Sequence, residues 1–508
     1  MTINKIISGI KPVKIFIIMA ATSTSLKSQP TSTGIFDGNS DIGKVRIKGS
    51  VSYNPQFQEY TIQGSGTNMW FDNDEFHYLW KKIKDDFIVR ANVQFVGKGV
   101  EPHRKIGWII RQSLDSKSKH VNACIHGDGL TSLQYRRTDG GQTEEMRLEI
   151  TVPDVIQLER KGNNFIMSVA KHGELLTSVK LEDVQFPDEV YAGIYICSHN
   201  PDVSEKATFR NVRIILPSDD DFVPYKDYIG SHIEIMDIGS GLRKIIYTSP
   251  LSLQAPNWTP DGKSLIYNSE GKLFSLDLST LQPAELNTDF AIQNNNDHVL
   301  SSDGKFLGIS HHSSDDDGKS IIYTLPSMGG VPQRVTKSGP SYLHGWSPDN
   351  KYLVYTAERN GEYDIYKIPA SGGEEIQLTN NSNLDDGSEY TPDGKFIYFN
   401  SDRNGKMQIW RMDADGNNQV QVTSDEFNNW FPHISPDGKW IVFLTFPPDI
   451  DPGDHPFYKH VYLRIMPAAG GNARVLAYVY GGQGTINVPS WSPDSKKIAF
   501  VSNSKIDK

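Results

Sequence analysis

One short phrase, Trp-Ser-Pro-Asp-Gly-Lys followed by an apolar strand, recurs six times in the C-terminal half of this chain and leaves few folds open. The copies lie at residues 258–263, 301–305, 346–351, 390–395, 434–439 and 491–496. Their shared aspartates, Asp261, Asp303, Asp349, Asp393, Asp437 and Asp494, stand 42, 46, 44, 44 and 57 residues apart. A period of this length signals a propeller or a related repeat array.

Each repeat has the same internal order. An apolar strand enters the phrase, and Pro-Asp-Gly turns the chain because proline presets φ and glycine accepts a positive one. An alternating strand leaves it, as in Tyr352-Leu353-Val354-Tyr355, and a polar loop, a third strand and a glycine turn lead to a fourth. Four strands per repeat make one propeller blade. The last copy runs out after two strands, and residues 231–238 and 242–248 supply the missing pair. The sequence therefore predicts an all-β chain with a six-bladed propeller whose last blade is shared between the two ends. These phrases resemble the repeats of TolB-like β-propellers (PD40, WD40-like) over residues 222–508, a likeness that implies fold and leaves function open.

Residues 31–216 carry no copy of the repeat and read as many short strands separated by Gly, Asn and Asp turns, the pattern of a β-sandwich or jelly roll. Residues 75–82 are open to either a short helix or an irregular strand. The phrases Lys105-Ile106-Gly107-Trp108-Ile109-Ile110-Arg111, Tyr191-Ala192-Gly193-Ile194-Tyr195 and Phe209-Arg210-Asn211-Val212-Arg213-Ile214 resemble concanavalin-like sandwiches of the laminin-G and DUF1349 kind. That resemblance implies a lectin-like fold of the sort attached to glycan-active secreted proteins, and brings no catalytic residues. Trp70, Phe71, Trp80 and Trp108 are either sugar-stacking platforms or core, with core the more common fate of large aromatics. Cys124 and Cys197 are open to a disulfide or to two buried thiols. The acidic run at residues 217–221 reads as a solvated linker.

A net charge of −10 and a pI near 5.8 argue against nucleic acid as a partner, since phosphate binding needs a basic surface. Residues 1–30 read as a signal peptide: Lys5, Lys11 and Lys14 precede a short apolar run at 15–21, too short to span a bilayer. The expectation is an exported, periplasmic or extracellular protein that does not span the membrane. Oligomeric state has no signal in the sequence.

The candidate site rests on histidines. His298 and His344 each stand five residues before their repeat aspartate and His433 stands four before, while His311 and His312 end a second strand. The 57-residue spacing comes from an insertion at residues 446–460, stiffened by prolines, that carries Asp454, His455, Tyr458, Lys459 and His460. Propeller topology predicts all seven histidines near one face, around the channel mouth opposite the Pro-Asp-Gly turns. Imidazoles gathered there suit a divalent metal (Mn²⁺, Zn²⁺ or Ca²⁺), with His298, His311 and His312 the candidate ligands, or acid–base work near neutral pH. The catalytic candidates are His298, His311, His455, Tyr458 and His460. Asp297, His344, His433, Asp454, Lys459, Gln483 and Asn487 are candidate ligand-binding groups, with Asn295 and Asn296 beside them.

Two readings follow. In the first, the chain is a recognition protein that binds glycan or an envelope protein, consistent with the lack of Gly-x-Ser-x-Gly or His-Glu-x-x-His. In the second, it is a metal-dependent carbohydrate-active lyase or hydrolase. TolB-like repeats also occur in oligogalacturonate lyases, although those propellers have seven blades and their metal ligands do not map onto this chain.

Overall fold

The computed structural model describes residues 33–506, so the signal-peptide expectation for residues 1–30 falls outside them. Two seven-stranded antiparallel sheets come first, followed by one three-stranded and five four-stranded sheets. The first two face each other across a core that includes Trp108, Phe87, Phe165, Phe209 and Ile194. Segment 75–82 is strand Phe76–Ile83, with Phe76, Tyr78 and Leu79 buried. Trp108 is core and Phe71 is exposed. Cys124 and Cys197 are buried free thiols, in keeping with the second of the two alternatives.

The six remaining sheets are the blades of a propeller. Strand Ser231–Asp237 pairs with Lys497–Asn503, the last strand of the chain, and strand Arg243–Ser249 lies outside it. Trp491, bridged to Ile498, supplies the inner edge. The ring is thus closed by hydrogen bonds between the two ends of the propeller, as the repeat count requires.

The repeated phrase is explained by its own side-chain bonds. In all six copies a Ser or Thr hydroxyl donates to the aspartate two residues on, as in Thr259, Ser301, Ser347, Thr391, Ser435 and Ser492. The same carboxylates accept the backbone N–H of the lysine that follows. The residue between, Gly262, Gly304, Asn350, Gly394, Gly438 or Ser495, has φ between 59° and 72°. Glycine is free there and Asn is tolerated, so four copies keep Gly. The turns touch one another around one end of the ring, Gly304 against Pro260 and Gly394 against Pro348.

The sandwich docks on the fifth and sixth blades, and there the outer strands are long. Arg474–Gly481 has eight residues and Arg243–Ser249 seven, against two or three in the outer strands of the other blades. Val475 N–H bonds Gly173 O at 2.8 Å, and Gln58 bonds both backbone groups of Ile245. A buried ion cluster spans the joint: Glu234 accepts from Arg213, Arg243 and the Ser502 hydroxyl, and Arg90 and Arg243 both donate to Tyr478 O. The acidic linker is solvated, with Asp219, Asp220 and Asp221 exposed, and is tied to the joint at its start. Asp219 pairs with Lys505 at 2.8 Å, and Ser218 N–H bonds the Tyr480 hydroxyl.

Candidate functional site

The innermost strand of each of the five four-stranded blades carries a β-bulge. The register slips between Gln254 and Asn257, Asn294 and His298, Leu343 and Gly345, Asp386 and Glu389, and Trp430 and His433. Bulges re-aim side chains and cluster beside functional sites. Ala255, Gly387 and Phe431 sit in them with φ of 54°, 64° and 54°, and for a residue as bulky as Phe this is a strained conformation held by its surroundings.

These bulges bring together residues far apart in sequence. His344 Nε2 lies 2.9 Å from Asp386 Oδ1, and Thr356 Oγ1 donates to the same oxygen at 2.6 Å. His344 packs on Phe431, ring centroids 6.1 Å apart, and Phe431 on His455 at 5.4 Å. Asp297 is 5% exposed; Asn295 Nδ2 donates to its Oδ2 at 2.8 Å, and its other carboxylate oxygen has no hydrogen bond among the described residues.

The cluster is electrostatically divided. Burial pushes Asp297 up to about 6, with the charge of Asp386 adding to the shift and that of His344 opposing it. Burial pulls on His344 in the opposite sense, but the charge and contact of Asp386, then Asp297, raise it to about 9. Burial would raise Asp386 too, yet His344 outweighs it and holds that carboxylate down at about 2. Near pH 7 the centre is an ion pair, His344 with Asp386, beside a carboxyl poised to gain or lose a proton. The Nδ1 atoms of His344 and His455 are shielded and without hydrogen-bond partners, and so is Nδ2 of Asn296.

Beside this centre a cavity of about 550 Å³ is lined by Tyr225, Tyr228, Phe457, Asn294, Asn296 and Gln483, among others. Tyr225 and Tyr228 both meet Phe457 edge-on, at 5.2 and 5.7 Å. The segment after the linker and the insertion of the fifth blade therefore build this wall together. Asn487 donates to Gln483 Oε1 at 2.9 Å and fixes its amide.

The structure disperses much of the histidine set. His298 is fully buried, its Nε2 3.2 Å from Ile266 O, and burial lowers it to about 4. His311 packs between Phe290 and Tyr323, and His312 turns to Gly318 O. The metal set His298, His311 and His312 is therefore wrong: each ring is engaged elsewhere. Among the described residues no three His, Cys, Asp or Glu side chains form a group able to hold a metal ion. His433 bonds Glu389 at 2.6 Å and also Ile486 O, which makes it a staple between blades. His460 faces Glu159 of the sandwich at 3.2 Å, away from the channel. Tyr458 is buried, and its hydroxyl accepts the Ile229 N–H at 3.1 Å. Of the five catalytic candidates only His455 is left beside the centre. Lys459 and Asp454 are exposed, although the charge of Asp454 acts on His455 and Tyr225.

The comparisons agree with the propeller. The model of the TolB beta propeller domain matches residues 342–447. Uncharacterized protein Atu1656 of Agrobacterium fabrum is 44% identical over 272 residues, 53% of this chain and 92% of that protein. The chain belongs to the TolB-like propeller family. A solved structure assigned as TolB from Agrobacterium tumefaciens is 43% identical, with a TM-score of 0.53, over 55% of this chain and 100% of that one. TolB from Acinetobacter baumannii is 20% identical, with a TM-score of 0.39, over 50% and 64%. On this TolB-like frame, sequence reasoning missed Asp386 and the aromatic wall of Tyr225, Tyr228 and Phe457. Asp386 stands in Asp385-Asp386-Gly387, and an acidic pair before glycine inside a strand is the one local signal that it serves more than the ladder. No helix among the described residues is long and apolar enough to cross a membrane.

Proposed function

We propose that this TolB-like protein is an exported, periplasmic or extracellular recognition protein that binds a glycan at the mouth of its propeller channel. One observation carries the reading: a cavity of about 550 Å³, walled by amides and aromatic rings, lies beside a buried cluster whose polar atoms are not all bonded. The volume suits a ligand of a few sugar rings. Aromatic faces and amides are the groups that hold apolar ring faces and hydroxyls. An envelope protein offering a similarly polar protrusion is the alternative partner. The sandwich, fastened to the propeller through Glu234, acts as a lectin-like second module in fixed orientation. Residues 1–30 direct export in this reading.

The second reading, a carbohydrate-active enzyme, draws on Asp297 and Asp386, two carboxyl groups displaced in opposite directions, the usual mark of an acid and base pair. His298, His311 and His312 have no part in it.

A glycan array probed with the full chain and with Tyr228→Ala tests the primary reading. Expected are defined glycan hits that weaken at least tenfold in the variant. An array without hits, or hits indifferent to Tyr228, would place recognition elsewhere.

A further inference from the structure

Carboxyl groups outnumber cations at the channel mouth. Glu270 lines the cavity, Asp297 and Asp386 form the centre, and Asp454 acts on Tyr225 and His455. Against them stand Lys226 and His312 in the lining, and His344, already paired with Asp386. Among the described residues Asp297 has no cationic partner within ion-pair distance, although it is buried and only one of its oxygens accepts a hydrogen bond. A carboxylate buried in this way is costly unless a positive group joins it.

The aromatic wall points the same way. Tyr225 and Tyr228 stand nearly perpendicular to Phe457, at 80° and 87°, so ring faces and edges meet in a corner. Tyr225 and Tyr228 are exposed, and it is the face of such a ring that attracts a cation through the quadrupole. A second, independent sign of a missing ligand is Asn296, 3% exposed and among the residues that line the cavity, whose Nδ2 has no hydrogen-bond partner among the described residues and suits a sugar hydroxyl.

We infer that the glycan bound at the channel mouth carries a free ammonium group, an amino sugar without its N-acetyl, whose cation Asp297 receives and whose ring lies on Tyr225, Tyr228 and Phe457. This inference rests on the glycan reading above. An ammonium at Asp297 favours its ionised form, so binding tightens as pH rises through the range where that carboxyl loses its proton and weakens again where the amino sugar's own ammonium loses its proton. The groups that face Asp297 and share this response are His344, Asp386, Tyr342 and Tyr225.

The test is calorimetric titration of the full chain at pH 6.0, 6.5 and 7.5, with a chitosan trimer, its fully N-acetylated counterpart and cellotriose, repeated on Asp297→Asn. Expected is a preference of at least tenfold for the chitosan trimer in the wild type, and in Asp297→Asn a trimer affinity that falls to that of cellotriose. Equal affinity for all three would overturn the ammonium inference and leave the glycan reading standing. Binding of none of the three at any pH would remove both. A preference that survives in Asp297→Asn, or tighter capture of a lysine-bearing peptide than of the trimer, would also overturn it.

Discussion

Two of the ion clusters buried in this molecule are built to opposite specifications. At the joint between sandwich and propeller, Glu234 takes hydrogen bonds from Arg213, Arg243 and Ser502, and Arg243 also reaches Tyr478 O. In the channel, Asp386 is the one carboxylate that His344 pairs with among the described residues, and Asp297 is left with a single side-chain donor. The first network satisfies its carboxylate from several sides and so fixes two domains. The second leaves bonding capacity open, the condition under which a ligand completes a site.

The largest effect expected from breaking this contrast is at the joint. Glu234→Ala strands two arginines in a buried setting and is predicted to cost about 3–5 kcal/mol, read as a large drop in denaturant midpoint. Two arginines hold the Glu234 carboxyl well below its ordinary value against the pull of burial. The stability it contributes is therefore present above the ordinary value of 4.5 and is lost as pH falls through its folded value.

In the channel the sign reverses. Asp297→Asn removes a carboxylate that burial disfavours while leaving the Asn295 donor a carbonyl to bond. The predicted outcome is a gain of about 1–3 kcal/mol near neutral pH, with the preference for an ammonium-bearing ligand lost. Stabilisation coupled to loss of function is the behaviour of a site kept strained for use. The smallest effect belongs to the turns at the far end of the ring. Lys395 and Asp393 pair at 3.0 Å with more than half of each side chain exposed, and Lys395→Ala is predicted to change stability by no more than about 0.5 kcal/mol.

The turns were legible in the sequence because everything that makes them is local. A hydroxyl, a carboxylate and a left-handed residue lie within a few positions of one another, and their repetition counts the blades and exposes the shared one. The channel was legible only in part. His298 and His344 stand at the same distance before their aspartates, yet one is sealed against Ile266 and the other meets Asp386. The reason is the bulge: it takes up residues 295–297 in one blade and residue 344 in the next, and in a strand one residue of slip exchanges faces. Register depends on the neighbouring strand, so position in the repeat alone does not decide which side chain enters the channel. Asp297, Asn296, Gln483 and the insertion were found by position, whereas Asp386 and the Tyr225–Tyr228–Phe457 wall depend on contacts between distant segments.

The central claim is that Asp297 is held in an unfavourable, ligand-ready state, and the most direct measurement compares denaturant stability of the wild type and Asp297→Asn as a function of pH. Burial raises the folded value of Asp297 to about 6 from an ordinary 3.8, so the native chain binds more protons than the unfolded one between these values, and wild-type stability falls as pH rises across them. The account predicts that Asp297→Asn is the more stable chain above about pH 6, by an advantage that shrinks steadily as pH falls toward 4. A variant less stable than the wild type at neutral pH would show that Asp297 is a satisfied structural carboxylate, and would contradict the account.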